Sequence, residues 1–239
     1  MKQTIAIARR ELLAYFSTSV GYVVLALFLL ISGLLFALTT LHTGVEASMR
    51  SFFDLSFFLL LFIAPAISMR LISEEMRLGT IESLMTCPVS DAQVVMGKWI
   101  GAVGFFLAML APTLLFPLVL EWYSAPDYGS IFAGYVGLIL VGSLYLALGT
   151  LASAIWPSQI LAYLVAVFFW LIFVGLTSWL PRFVGDPWSA ILFKMSVELR
   201  YSNDFAKGVI DTSTIIYFVS GMVLFLTAAV KIVESRRWR

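Results

Sequence analysis

Long apolar runs broken by short polar stretches predict a helical chain that crosses a membrane six times. The runs cover residues 20–41, 52–72, 97–120, 131–155, 159–180 and 215–233, each close to the ~20 residues that a helix needs to cross the hydrocarbon core. Pro65 should break the second run. Pro112 and Pro117 should kink the third or end it in a short re-entrant turn, because proline removes a helical hydrogen bond. The first run follows a basic start, as a secretory signal would. Its 22 residues exceed a signal core, and no small-x-small cleavage site follows, so it is expected to remain as a span.

Three polar stretches carry more order than linkers do. In residues 1–19, Lys2, Arg9, Arg10 and Glu11 interleave with Ile5, Ala8, Leu12, Leu13 and Phe16 at helical spacing, the pattern of an interfacial amphipathic helix. Residues 70–98 hold seven of the 29 charged side chains. There Leu71, Ile72, Met76, Ile81, Leu84 and Met85 form an apolar stripe, with Glu74, Glu75, Arg77 and Glu82 on the other sides of short helices. Gly79 can close a first helix. Thr80 can cap a second, with Glu82 in its first turn, and Cys87-Pro88 ends it. Ser90 with Gln93 is a capping box that opens a third. Such an elbow at the membrane surface suits the passing of force or recognition between a membrane domain and a partner in water. Residues 181–211 contain Phe183, Trp188, Ile191, Leu192, Phe193 and Met195, too apolar for a solvated loop and too short to span twice. One or two short helices dipping into the outer leaflet are expected there.

Composition fixes the class. At 61% hydrophobic and 12% charged residues, the chain lies far from soluble domains, at about 45–50% and about 25%, so an all-α polytopic membrane protein follows. A net charge of +1 gives no basic field for nucleic acid. One cysteine, Cys87, and one histidine, His42, cannot make a disulfide or a metal site within the chain. Gly97-Lys98 is followed by Trp99 and lacks the upstream glycine of a phosphate loop, and no nucleophile elbow or His-Glu-x-x-His occurs. The chain is therefore not expected to be an enzyme or to bind a cofactor, and any work it does draws energy from another chain. No span carries a charge at its centre, which argues against a proton pump or ion channel and for an amphipathic or apolar cargo.

With both termini cytoplasmic, ten of the 15 Lys and Arg residues lie inside and five outside, as positive-inside topology requires. Gly97 with Gly101 and Gly104, Gly134 with Gly137, and Gly149 with Ser153 allow close helix packing, within one subunit or across a dimer. Tyr15, Tyr22, Trp122, Tyr123, Trp156 and Trp238 near span ends read as an interfacial belt.

Several of these residues carry a family resemblance. Arg10-Glu11-Leu12-Leu13-Ala14-Tyr15-Phe16 leading through Gly21-Tyr22-Val23-Val24, the elbow from Ser73 to Leu84 with Pro88 and Gly97-Lys98, and Phe205-Ala206-Lys207-Gly208-Val209-Ile210-Asp211 together resemble the permease subunits of ABC-2 type transporters. The resemblance is strongest to the gliding-motility and nitrous-oxide-reductase-maturation branch. Ser19 departs from it, standing where relatives usually have proline. The resemblance implies a type V exporter-like fold in one permease domain over residues 1–239: a connecting helix at 1–19, a cytoplasmic coupling elbow at 70–98 and re-entrant helices at 181–212. It also implies a bacterial inner membrane and a second permease chain, identical or homologous. Separately encoded ATP-binding subunits would hold ATP and Mg. Glu74, Glu75, Arg77, Gly79, Thr80 and Glu82 would contact or position that ATPase, with Arg9, Arg10 and Glu11 on the interfacial helix. By analogy the second and fifth spans line a path, with Phe57, Phe58, Phe168, Phe169 and Phe173 as candidate lining residues. An alternative is a complex that moves no small substrate and transmits mechanical force to an extracytoplasmic partner protein, docked at residues 183–211.

Overall fold

The computed structural model describes residues 2–40, 48–80, 89–122 and 126–236, and no strand occurs among them. The helices are α1 (Lys2–Ser17), α2 (Ser19–Thr40), α3 (Arg50–Ser68), α4 (Ser73–Leu78), α5 (Asp91–Leu110), α6 (Leu115–Glu121), α7 (Tyr128–Ile155), α8 (Gln159–Trp179), α9 (Trp188–Met195), α10 (Val197–Asn203) and α11 (Thr212–Arg236). Six stretches of the described residues are long and apolar enough to cross a membrane: Ser19–Thr40, Arg50–Leu78, Asp91–Glu121, Tyr128–Ile155, Gln159–Arg182 and Thr212–Arg236. They match the six apolar runs.

Helix α7 is the axis. Of its most apolar window 78% is buried, against 22% for α2 and for α11 at the periphery. Small residues let neighbours reach it. A Cβ on Gly134 would lie 2.3 Å from the Phe53 ring, one on Gly142 2.3 Å from Phe106, and one on Gly137 2.6 Å from the Cβ of Phe205. Gly149 is filled in the same way by Ser68 of α3. The small-residue stripe is thus used inside the subunit, where backbones and rings interlock without needing side-chain volume of their own.

A second stripe seats the N-terminal helix. Gly97 faces Thr4 and Ile7, Gly101 faces Ala8 and Glu11, and Gly104 faces Leu12. Both sets of residues ascend together, so α1 runs beside the first half of α5 in the same direction for about two turns. One face of the amphipathic helix is therefore taken up by α5, and Ile5, Arg9 and Leu13 remain exposed on another. The bend between α1 and α2 is closed by Gly21, whose N–H donates to Thr18 O at 3.2 Å. The Tyr15 carbonyl occupies the place of a Cβ there.

The prolines act differently from one another. Helix α3 continues through Pro65 and ends at Ser68, whose hydroxyl donates to Ala64 O at 2.9 Å. The expected break is displaced by one turn. Between α5 and α6, Ala111–Leu114 tightens to a 3-10 turn around Pro112, the interruption that the third run anticipated. Pro117 has no N–H for Thr113 O, and the Tyr135 hydroxyl of α7 donates to that carbonyl at 2.7 Å. A backbone group that lipid could not satisfy is thereby paired.

At the bundle end away from α4, the stretch after α8 folds into short helices, as its apolar content suggested. Helix α10 and the turn Phe205–Lys207 pack inward through Val197, Tyr201, Phe205 and Ala206. The Tyr201 hydroxyl donates to Phe53 O at 3.3 Å. Helix α9 buries no residue.

Substitution of Gly101 by Ala should lift α1 off α5, because the added carbon would sit 2.8 Å from the rigid Ala8 carbonyl oxygen. A loss of about 1–3 kcal/mol is expected from such overpacking, read as a lower melting temperature in detergent. Gly175→Ala, which meets nothing within 4 Å, should not lower it, since alanine is the better helix former.

Candidate functional site

The elbow begins where α3 ends. Leu71 and Ile72 are buried, and Ile72, which precedes α4, has no polar atom with which to cap it. Ser153 of α7 supplies the cap from outside. Its hydroxyl oxygen accepts from the Ile72 and Ser73 N–H groups, each at 2.9 Å, and donates to Met69 O at 3.1 Å. Two of the free donors at the helix start are satisfied in this way. At the other end Gly79 adopts a left-handed conformation, φ 70°, and its N–H donates to Met76 O, the C-terminal cap that the glycine predicted. Helix α4 is thus clamped at its base. Arg77, Leu78, Gly79 and Thr80 are exposed, Leu78 by 62%.

Beneath the tip lies a four-membered ionic ring. Lys98 of α5, with 2% of its side chain exposed, places Nζ 2.9 Å from Glu11 Oε1 of α1 and 2.8 Å from Glu75 Oε1 of α4. Arg10 Nη2 lies 3.2 Å from each of the same two oxygens and covers the group from the water side. Two cations and two carboxylates alternate, so the charge of the ring sums to zero, with Arg10 at its exposed edge. Burial pushes the Glu11 carboxyl up, but the field and hydrogen bond of Lys98, helped by Arg10, more than offset it and leave the carboxyl below its ordinary range.

A second tie sits one helical turn away. Tyr15 is buried, stacks on Phe105 at 4.6 Å and donates to Ile67 O at 2.7 Å. Burial keeps its hydroxyl protonated by raising the pKa well above the usual tyrosine value. Arg70 lies over the Tyr15 ring, 4.5 Å from its centroid, donates to Thr18 Oγ1 at 3.1 Å and approaches Glu74 to 3.9 Å. Tyr15 is therefore a core residue and not part of an interfacial belt. Its place among Phe105, Arg70 and Ile67 depends on helices that are far apart in the chain. Tyr22 and Trp122 do lie exposed near span ends.

The residues singled out from the sequence separate into groups. Arg77, Gly79 and Thr80 share the exposed tip; Glu74 faces Arg70; Glu75 turns inward, away from the water-facing side where its helix position placed it; Arg10 and Glu11 join it, while Arg9 is exposed. Ile81, Glu82, Leu84, Met85, Cys87 and Pro88, with the second elbow helix, lie outside the described residues, as do His42, Tyr123 and Trp238. Ser90 and Gln93 form the expected capping box at the start of α5. Phe57 is buried inside the subunit, stacked on Tyr201 at 5.4 Å, whereas Phe58, Phe168 and Phe169 face outward. Phe169 stacks on Phe173 at 6.0 Å. Lys98, Ser153 and Arg70 hold the elbow in place through contacts that local sequence pattern does not reveal. The available signal was that Lys98 lies between Gly97 and Gly101, the positions against which α1 packs.

A family model described as ABC-2 family transporter protein matches residues 37–203. No curated protein sequence matches the chain.

Replacing Lys98 by Met leaves Glu11 and Glu75 buried face to face and should cost about 3–5 kcal/mol, the usual penalty for removing one member of a buried ion pair. Lys231→Met, whose exposed pair with Glu234 contributes little, should not move the melting temperature. Because the Glu11 carboxyl is lowered in the fold, its stabilisation is complete above the ordinary glutamate pKa and is lost on acidification. Melting temperature should hold from pH 8 to 5 and fall below about pH 4, and Glu11→Gln should flatten that acid limb.

Proposed function

The chain belongs to the ABC-2 family of transporter proteins, and from that premise we propose that it is the permease subunit of an ATP-driven exporter whose α4 tip docks on a separate ATP-binding subunit. The observation that carries this reading is the construction of α4: fixed by Ser153 and Lys98, with an exposed apolar side chain, Leu78, beside an exposed cation, Arg77. An exposed apolar residue on a rigid, otherwise polar projection is what a protein partner can cover.

Motion imposed at the tip has a short route into the bundle. Glu75 passes it through Lys98 to α5 and through the shared ring to α1, while the base of α4 is hydrogen-bonded to α7. The ring and the serine clamp make the elbow a lever and not a loose loop. ATP and Mg would be held by the partner, since this chain carries no phosphate loop.

The bundle end that bears α4 also bears Lys2, Arg9, Arg10, Arg70, Arg77, Lys98, Lys231 and Arg236; Arg236 donates to Ile155 O at 2.8 Å. The opposite end bears Arg50, Arg182, Lys194, Arg200 and Lys207. The positive-inside rule then orients the elbow and both termini to the cytoplasm of a bacterial inner membrane. A second permease chain, identical or homologous, would complete the exporter, with an amphipathic or apolar cargo passing near the outward-facing Phe58, Phe168 and Phe169. Membership of the gliding-motility and nitrous-oxide-reductase-maturation branch rests on the motifs at residues 10–24, 73–84 and 205–211.

The test is affinity purification from the native membrane with measurement of retained Walker-motif ATPase and its turnover. Leu78→Asp should reduce co-purification at least about tenfold, and Gly79→Val should lower stimulated turnover, because a β-branched residue resists the left-handed cap. Both variants should still insert in the membrane. Unchanged association and turnover in both would overturn docking at this tip.

A further inference from the structure

At the bundle end opposite the elbow, an apolar groove runs between α8 and α11 and opens beside a polar cleft on α10. The groove has a volume of about 250 Å³, with Phe169, Trp170 and Phe173 on one wall and Tyr217, Leu224 and Phe225 on the other. It faces outward from the bundle, as the 62% exposure of Leu224 shows. Gly221 keeps its floor shallow, resting where a Cβ would come within 2.8 Å of Leu144.

The cleft, of about 440 Å³, is lined by Lys194, Arg200, Asn203 and Asp204 together with Phe193 and Leu199. Arg200 joins the two cavities. Its guanidinium carbon lies 4.6 Å from the centroid of the Tyr217 ring that walls the groove, and its Nε donates to Lys194 O at 2.8 Å. The ring is held in turn by its own hydroxyl, which donates to Met195 O at 2.6 Å. Among the described residues neither Arg200 nor Lys194 makes an ion pair. The Asp204 carboxylate in the same cleft accepts from the Thr214 hydroxyl, and Lys207 is taken up by Asn203.

We propose that this composite site binds one anionic phospholipid of the leaflet opposite the elbow, an acyl chain in the groove and the phosphate against Arg200 and Lys194. Two complementary chemistries meet there at the spacing of a lipid's own polar boundary: an aromatic-walled slot with few polar atoms, and an unpaired guanidinium fixed at its mouth. A phosphate would accept charge-assisted hydrogen bonds from the Arg200 terminal nitrogens, whose fork geometry suits it. The proposal requires only that the chain spans a bilayer and does not depend on ATPase docking.

The experiment is native mass spectrometry of the purified complex in mild detergent, titrated with phosphatidylglycerol and, separately, with phosphatidylcholine. One phosphatidylglycerol per chain should be retained at least about tenfold more tightly than phosphatidylcholine, which offers the same phosphate but brings a tethered trimethylammonium that Arg200 and Lys194 repel. Arg200→Gln should abolish that preference. Ser220→Trp, an exposed position on the groove's edge, should lower retention of both lipids by filling the slot. Monodispersity and melting temperature establish that each variant is folded. Equal retention of the two lipids, or a preference that survives Arg200→Gln in a folded variant, would overturn the proposal. So would a second permease chain found by cross-linking to cover Tyr217 and Leu224.

Discussion

A lysine ammonium cannot remain charged inside a helix bundle without carboxylates to receive it, and for Lys98 the two carboxylates come from different elements. Glu11 belongs to the N-terminal helix and Glu75 to the elbow, so satisfying one cation sets the positions of α1, α4 and α5 together. Displacing any of the three would break at least one of the Lys98 ion pairs. Gly97 and Gly101, on either side of Lys98, bring α1 close enough for the geometry to exist. The ring is therefore a condition on packing as well as a product of it.

The same logic of borrowed partners recurs through the bundle. Helix α7 lends Ser153 to the start of α4 and Tyr135 to the carbonyl that Pro117 leaves free. In water these groups would hydrogen-bond to solvent. In the interior of a membrane domain each needs a protein donor or acceptor, and the most buried helix is placed to supply it. The elbow thus rests on the bundle's axis at one point and on the ionic ring at another, while Arg77 and Leu78 are exposed. A projection with two fixed points moves as a unit with what it is fixed to, which is the mechanical property that a docked ATPase would use.

The two ends of the molecule are built for different surroundings. At the elbow end, Lys98, Glu11, Glu75 and Arg10 pair with one another, while Arg77 and Leu78 are exposed. At the other, Arg200 stands over an aromatic groove without a carboxylate partner among the described residues. The first arrangement neutralises charge by internal pairing, and the second leaves a cation at the mouth of an apolar groove.

Hydropathy alone disclosed the six spans, because bilayer thickness imposes one length on every crossing helix. Local chemistry disclosed the punctuation: the Ser90 and Gln93 capping box, the left-handed Gly79 and the tightened turn at Pro112 each depend on residues within a few positions. The glycine stripes announced close packing but not the partner, since a missing Cβ does not say whose atoms fill the gap. Packing settled that Tyr15 is a core residue, that Glu75 faces inward while its neighbour Glu74 faces Arg70, and that Ser153 caps a helix on another span. Lys98 and Glu11 are 87 positions apart. Partition between water and lipid is written in each segment separately, whereas the meeting of distant charges exists only once the helices have been laid side by side.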